Sequence, residues 1–332
     1  MSAIEWTLLI SAGCALMPFG LWLVTKIIVR LPGVAWKLFK GALISLLLGV
    51  PTFIFLVSPL LFSFLVTRAT TRPADAVLMD TPASYEVDYI DVEFPSHDGL
   101  TLRGWLTEGA KSKPTLIACH GLFRNRQELL ERSSRLSKEG FSVLLFDFRS
   151  HGKSEEASIS LGLLESLDVL GAYEFLRQTH GREQVVLMGV SMGAVATLHA
   201  AGRVRPDLEA IVVDSPFLSL QDTLVHHTKL FFGLPSFPFA DIFVWNMARI
   251  NGYEAEDLDT LQTVRGLKNV PILMLHGQDD RRIPLPTAQT LFQAIPSESK
   301  KLVIFPGAGH GAAYRSDPEW YLAEVVEFLE KL

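Results

Sequence analysis

Six short runs of almost wholly apolar residues, "PTLIACHG", "FSVLLFDFR", "QVVLMGV", "EAIVVDSPF", "VPILMLHG" and "KLVIFPG", recur between residues 114 and 307. Each has the length of a strand and no polar face, as expected of strands buried on both sides. Helix-length segments separate them, around Gln127 to Lys138, Leu163 to Gln178, Met192 to Arg203 and Pro286 to Ile295. Parallel neighbours need long crossovers, so this rhythm predicts an α/β chain with a mostly parallel central sheet and helices on both faces. Ahead of it, "YEVDYIDVEF" and "LTLRGWL" read as two strands joined at an Asp98-Gly99 turn.

Open sheets of this kind bind ligands at the carboxyl ends of their strands. His120, Asp147, Ser191, Asp214, Asp280 and His310 all fall at such ends. One interval breaks the rhythm. Pro216 to Asn269 is far longer than a crossover needs and is rich in large apolar groups, among them Phe217, Phe231, Phe232, Phe237, Phe239, Phe243 and Trp245. It reads as a cap inserted at about 216–269, with more than half of its aromatics packing an extra helix pair into the core and the inner surface greasy.

The hydrophobic fraction of 48% and mean hydropathy of +0.27 are high, and the excess sits at the amino-terminal end. Twenty uncharged residues separate Glu5 from Lys26 and 27 separate Lys40 from Arg68, against the roughly 20 needed to cross a bilayer. Two transmembrane helices are expected, at about 6–29 and 38–67, followed by a linker over 69–84 and the globular domain over 85–332. No positive charge precedes the first run, and both exceed the core of a cleaved signal peptide. Lys26, Arg30, Lys37 and Lys40 lie between the spans, while Arg68 and Arg72 follow them. By that bias the connecting loop is expected in the cytoplasm and the globular domain outside it.

The stretch "GVSMG" puts Ser191 between Gly189 and Gly193, where an apolar strand gives way to a helix. A turn that sharp strains its central residue and tolerates only small neighbours. It presents the hydroxyl at a helix N-terminus, where free N–H groups stabilise developing negative charge. A serine needs a base, and the base a group to orient it. His310, in the Gly-rich loop "FPGAGHGAAY", and Asp280, in "LHGQDDRRIP", follow the last two strands in the chain order expected of a nucleophile-elbow hydrolase. Asp279 adjoins Asp280 and Asp214 also ends a strand, so both stay open as the acid.

Residues 85–332 resemble the α/β-hydrolase superfamily, and in particular its membrane-anchored bacterial serine hydrolases of esterase, lysophospholipase-like and aminopeptidase-like kinds. The resemblance rests on "HGLFRNR", "DFRSHGKS", "GVSMG", "HGQDDRRIP" and "GAGHG", in that order. It implies an oxyanion hole from the backbone N–H groups of Leu122 and Met192, with Phe123 and Phe217 as candidate substrate-binding side chains. It also selects Asp280 by the His-Gly-x-x-Asp spacing and gives His120 a structural part beside the oxyanion loop. Asp147, Arg149 and His151 are expected to brace their own turn.

The function expected is cleavage of a carboxylic ester, lipid-like or a thioester, through an acyl-enzyme at the bilayer. The alternatives are a peptidase holding a substrate amine on Glu254, Glu256 or Asp257, and a catalytically silent scaffold of the same fold. The net charge of −6 leaves no basic footprint for nucleic acid. No dinucleotide or phosphate-cradling fingerprint calls for an organic cofactor. His226 and His227 are adjacent and without a supporting Cys or carboxylate cluster, so no metal is expected, and no obligate protein partner is evident. Cys14 and Cys119 form no disulfide framework.

Overall fold

The computed structural model describes residues 33–204 and 208–332. Among the described residues, eight strands form one sheet in the order β1-β2-β4-β3-β5-β6-β7-β8. They are β1 (Tyr89–Pro95), β2 (Thr101–Thr107), β3 (Thr115–Cys119), β4 (Ser142–Phe146), β5 (Val185–Val190), β6 (Ala210–Asp214), β7 (Ile272–Gly277) and β8 (Lys300–Phe305). The β1–β2 and β2–β4 pairs are antiparallel, and every later pair is parallel. Every residue of β3 to β7 is buried, as their unbroken apolar sequences require. The edge strands β1 and β8 mix buried and exposed positions.

The main helices that pack around the sheet and build the insertion are α1 (Leu130–Lys138), α2 (Glu165–His180), α3 (Met192–Val204), α4 (Leu220–His227), α5 (Phe239–Asn251), α6 (Thr260–Arg265), α7 (Leu285–Ala294) and α8 (Pro318–Glu330), with a short helical turn at Ala313–Ser316. Two apolar clusters cover the two faces of the sheet. One joins Ile117, Leu187, Ile211 and Met274 to residues of α2, α3 and α7; the other joins Leu116, Val186, Val212 and Leu273 to residues of α1 and α8.

The insertion is narrower than 216–269. Ser219 bridges Asp259, and Thr260 N–H donates to Leu218 O at 2.8 Å, so the cap closes on itself there. Beyond the closure, Val264 and Leu267 are fully buried in the cluster beneath α3, which makes 260–269 part of the main domain. Of the aromatics in this interval, Phe217, Phe239 and Phe243 are buried, whereas Phe231, Phe232, Phe237 and Trp245 are exposed.

At the amino-terminal end a continuous helix runs from Gly33 to Val66, 34 residues, long and apolar enough to cross a membrane by length and composition. The span expected at 6–29 lies outside the described residues, so one candidate helix stands where two were expected. Pro59–Leu332 forms one compact unit, and the described residues before it, up to Ser58, fall outside that unit. The helix's last two turns thus belong to the globular unit. Their polar groups and their apolar face are the reason: Asn246 Nδ2 on α5 donates to Ser63 Oγ at 2.7 Å and to Leu60 O at 3.2 Å, Phe62 meets Phe243 with ring centroids 5.7 Å apart, and Val66 is buried in the cap cluster. Nor is 69–84 a bare linker. Thr71 Oγ1 donates to Arg124 O at 2.9 Å and Arg72 N–H to Phe123 O at 3.0 Å, and short helical turns form at Pro73–Asp75 and Pro82–Tyr85.

Candidate active site

Strand β5 ends in Val190 and α3 begins at Met192, leaving Ser191 alone in the turn with φ +54°. A non-glycine residue is strained there. The two glycines make the turn possible by close approach: a Cβ on Gly189 would lie 2.3 Å from Gly193 O, and one on Gly193 would lie 2.3 Å from Cys119 O. Ser191 N–H donates to Asp214 O at 2.9 Å, which ties the turn to β6.

Ser191, His310 and Asp280, far apart in the chain, form one hydrogen-bonded line. His310 Nε2 lies 2.9 Å from Ser191 Oγ, and His310 Nδ1 lies 2.7 Å from Asp280 Oδ2. An ionised carboxylate can only accept, so Nδ1 carries the proton and Nε2 is left with a lone pair toward the serine. Asp280 is buried, and its other oxygen accepts the Arg282 and Ile283 amides at 2.9 Å each. Burial works to raise its carboxyl, but the hydrogen bond and charge of His310, with the Ile283 amide, outweigh it and hold the group below the usual carboxylate range.

Asp279 and Asp214 stand elsewhere. Asp279 is exposed. Asp214 is buried, accepts Ser215 Oγ–H at 2.9 Å and lies 4.0 Å from Arg132; burial pushes its carboxyl up despite the Arg132 charge. Ser215 Oγ in turn accepts Gly311 N–H at 3.2 Å, so this pair props the loop that carries His310.

Leu122 follows His120-Gly121 after β3, and Met192 opens α3, where helix-start amides have no intrahelical partner. Buried polar groups hold the Gly121–Arg126 loop. His120 is wholly buried, its Nδ1 2.8 Å from Gly121 O, while its Nε2 accepts Phe148 N–H at 3.1 Å. Desolvation pushes this imidazole down to about 3. His151 Nε2 accepts Phe123 N–H at 3.3 Å. Asp147 accepts Arg126 N–H at 2.8 Å and the Arg126 guanidinium at 2.7 Å and 3.0 Å. The "DFRSHG" turn therefore braces the neighbouring loop as well as its own, a link invisible in sequence because the two segments meet only in space. Glu128 adds another, taking Gly121 N–H at 2.6 Å.

A cavity of about 430 Å³ opens at Ser191. Leu122, Met192, Phe123 and Phe217 all line it, as do Phe231, Phe232, Phe239 and Phe243 from the cap. Phe62 and Val66 line it too, although both fell inside the expected second span. Glu254 and Glu256 face a different groove, on the cap beside Trp245 and Asp241. His226 and His227 bond the carbonyls of Arg281 and Arg282 at 2.8 Å and 3.1 Å, holding the cap to the acid loop. Among the described residues no three potential metal ligands cluster.

An elbow serine, a histidine after the last strand and a lined cavity at the carboxyl edge of a mainly parallel eight-stranded sheet define the α/β-hydrolase class. The chain belongs to the alpha/beta hydrolase family, whose model matches residues 116–324. It is 28% identical over 240 residues to the uncharacterized protein YqkD of Bacillus subtilis (strain 168), covering 72% of this chain and 78% of that one. It is 24% identical over 243 residues to a protein of Saccharomyces cerevisiae described as an uncharacterized membrane protein, covering 73% and 80%. Among solved structures, the Pyrococcus furiosus esterase Pf2001 superposes with a TM-score of 0.65 at 26% identity, covering 79% of this chain and 98% of that one.

Proposed function

We propose that this chain is a serine hydrolase that cleaves carboxylic esters with apolar acyl chains through an acyl-enzyme, held at a bilayer by its apolar helix. The observation that carries the reading is the Ser191–His310–Asp280 line opening directly on an aromatic-walled cavity. Ser191 attacks the ester carbonyl as His310 Nε2 takes its proton. Asp280 fixes the histidine tautomer and stabilises the imidazolium. The Leu122 and Met192 amides receive the developing oxyanion, a donor pair of which one member alone is worth roughly 2.7–4 kcal/mol. His310 then protonates the leaving alcohol. Water, deprotonated by the same histidine, releases the acid.

The length of the helix supports the anchoring. Gly41–Ser58, 18 uncharged residues, rises about 27 Å, near the roughly 30 Å hydrocarbon thickness, without needing the two turns that line the cavity. The peptidase alternative has less support, because Glu254 and Glu256 face away from Ser191's cavity. The carboxylate that does line it, Glu128, is engaged by Gly121 N–H and by Arg124.

The test is hydrolysis of p-nitrophenyl esters of graded chain length by the full chain in detergent, beside Ser191→Ala. Turnover should favour medium or long chains and fall by about 10⁴-fold or more in the variant. A folded protein that turns over no ester, and whose Ser191 ignores a fluorophosphonate probe, would sink the proposal.

A further inference from the structure

The cavity at Ser191 is apolar in its walls but carries a surplus of positive charge. Three guanidinium side chains line it, those of Arg124, Arg282 and Arg315, against the single carboxylate of Glu128. Arg124 is already committed, with Nη1 3.0 Å from Asp75 Oδ2 and Nε 3.3 Å from Glu128 Oε1. Glu128 is committed as well, since its other oxygen accepts the Gly121 amide. Arg282 and Arg315 are different. Both are exposed, and among the described residues neither guanidinium has a contact ion pair or a hydrogen-bonded partner, although the Arg315 charge is felt at Glu128. They arise from separate segments, Arg282 two residues after Asp280 and Arg315 on the helical turn Ala313–Ser316 that follows the His310 loop, so the segments after Asp280 and after His310 each bring an exposed cation to the same cavity. His227, which also lines it, is pushed down by burial and its Nε2 is bonded to Arg282 O, so it adds no further positive charge of its own.

Two unpaired like charges sharing one concavity raise the local potential and draw in anions. A guanidinium presents a planar fork of donors that matches a phosphate or carboxylate in bidentate fashion. Building on the ester-hydrolase reading, we infer that the substrate is an anionic amphiphile: an acyl ester whose alcohol carries a phosphate-class headgroup. The acyl chain lies against Phe62, Phe217 and Phe243, the carbonyl meets Ser191, and the headgroup sits between Arg282 and Arg315. Bond cleavage is the hydrolysis already described, in which the acyl C–O bond breaks, water supplies the new oxygen, and the anionic alcohol leaves with the proton from His310.

The test compares two esters of one acyl chain, a 1-acylglycerol 3-phosphate and the matching neutral 1-monoacylglycerol, with the full chain in neutral detergent. The wild-type protein should favour the phosphate ester in kcat/KM by about tenfold, the size expected of two part-exposed ion pairs. That ratio should shrink as salt is raised and approach one in Arg282→Gln/Arg315→Gln. A wild-type ratio at or below one overturns the inference without any variant, and a ratio that survives in the double variant overturns the assignment to these arginines. Turnover of p-nitrophenyl esters with no charge preference fells this inference alone. Failure on every ester, with no probe labelling of Ser191, fells the hydrolase reading and this one together.

Discussion

The two sides of the cavity are built from opposite materials. On the sheet side, the Gly121–Arg126 loop is held by directional polar contacts: the buried His120, His151 and Asp147 with Arg126, and the half-buried Glu128. On the cap side, the wall is aromatic and aliphatic, from Phe62 and Val66 to Phe231, Phe232 and Phe243, and part of it is exposed. Directional bonds over-determine positions to a fraction of an ångström, which oxyanion donors require. Apolar packing is non-directional and tolerant of shape, which suits an acyl chain. The sheet side should therefore fail abruptly when a bond is removed, and the cap side gradually.

The sharpest break is at Asp147. Its carboxylate takes the Arg126 amide and guanidinium and the Lys153 amide, with both side chains buried. Asp147→Ala leaves a buried guanidinium with no carboxylate and only the Trp105 ring, 4.8 Å away, beside it, and breaking such a pair costs about 3–5 kcal/mol. Thermal unfolding of the detergent-solubilised protein should show a loss of that order, with ester turnover falling because Arg126 ends the oxyanion loop. A loss below about 1 kcal/mol would show that the sheet side is not held in this way.

The same contrast extends to pH. His199, on α3 behind the elbow, is pushed down to about 4 by burial, with a smaller contribution from the Arg203 charge, and its Nε2 has no partner. In the unfolded chain a histidine titrates near 6.5. Its native pKa is depressed, so the unfolded state binds the proton first and stability falls as pH drops from about 6.5 toward 4. At pH 5 the contribution amounts to about 2 kcal/mol. Stability measured at pH 7 and pH 5 should drop by about that much less in His199→Gln than in the unmutated protein. An equal drop in both would place the acid sensitivity elsewhere.

Legibility in the sequence follows the same division. The buried strands, the elbow and the order of Ser191, Asp280 and His310 could be read from it, because each is imposed locally: by apolar runs, by glycines that admit close backbone approach, and by chain order. The bracing of Phe123 by His151 or of Arg126 by Asp147 could not, since those partners sit 28 and 21 residues apart and meet only through sheet topology. Phe62 and Val66 were hidden for another reason. An apolar helix turn has the same composition whether it faces lipid or a cavity, and the polar pair Ser63 and Asn246, which bond each other, ties this turn to the globular unit. That pairing joins residues 183 apart.

Phe62 therefore offers the finest test of the cap side. Its ring packs on Phe243 and faces the cavity, so Phe62→Ala removes apolar surface from the acyl site while leaving the sheet side intact. Each buried methylene of a substrate is worth up to about 0.8 kcal/mol, and a wall shortened by one ring should lose contact with the distal two carbons or so. The preference for a long over a short p-nitrophenyl ester should fall by about tenfold, with the change seen mainly in KM, because the lost contact serves ground state and transition state alike. A fall confined to kcat would instead mean that Phe62 reaches the reacting groups through the cap. An unchanged preference would return Pro59–Val66 to the role of a tether, and a chain truncated at residue 69 would then be expected to keep the full chain-length profile.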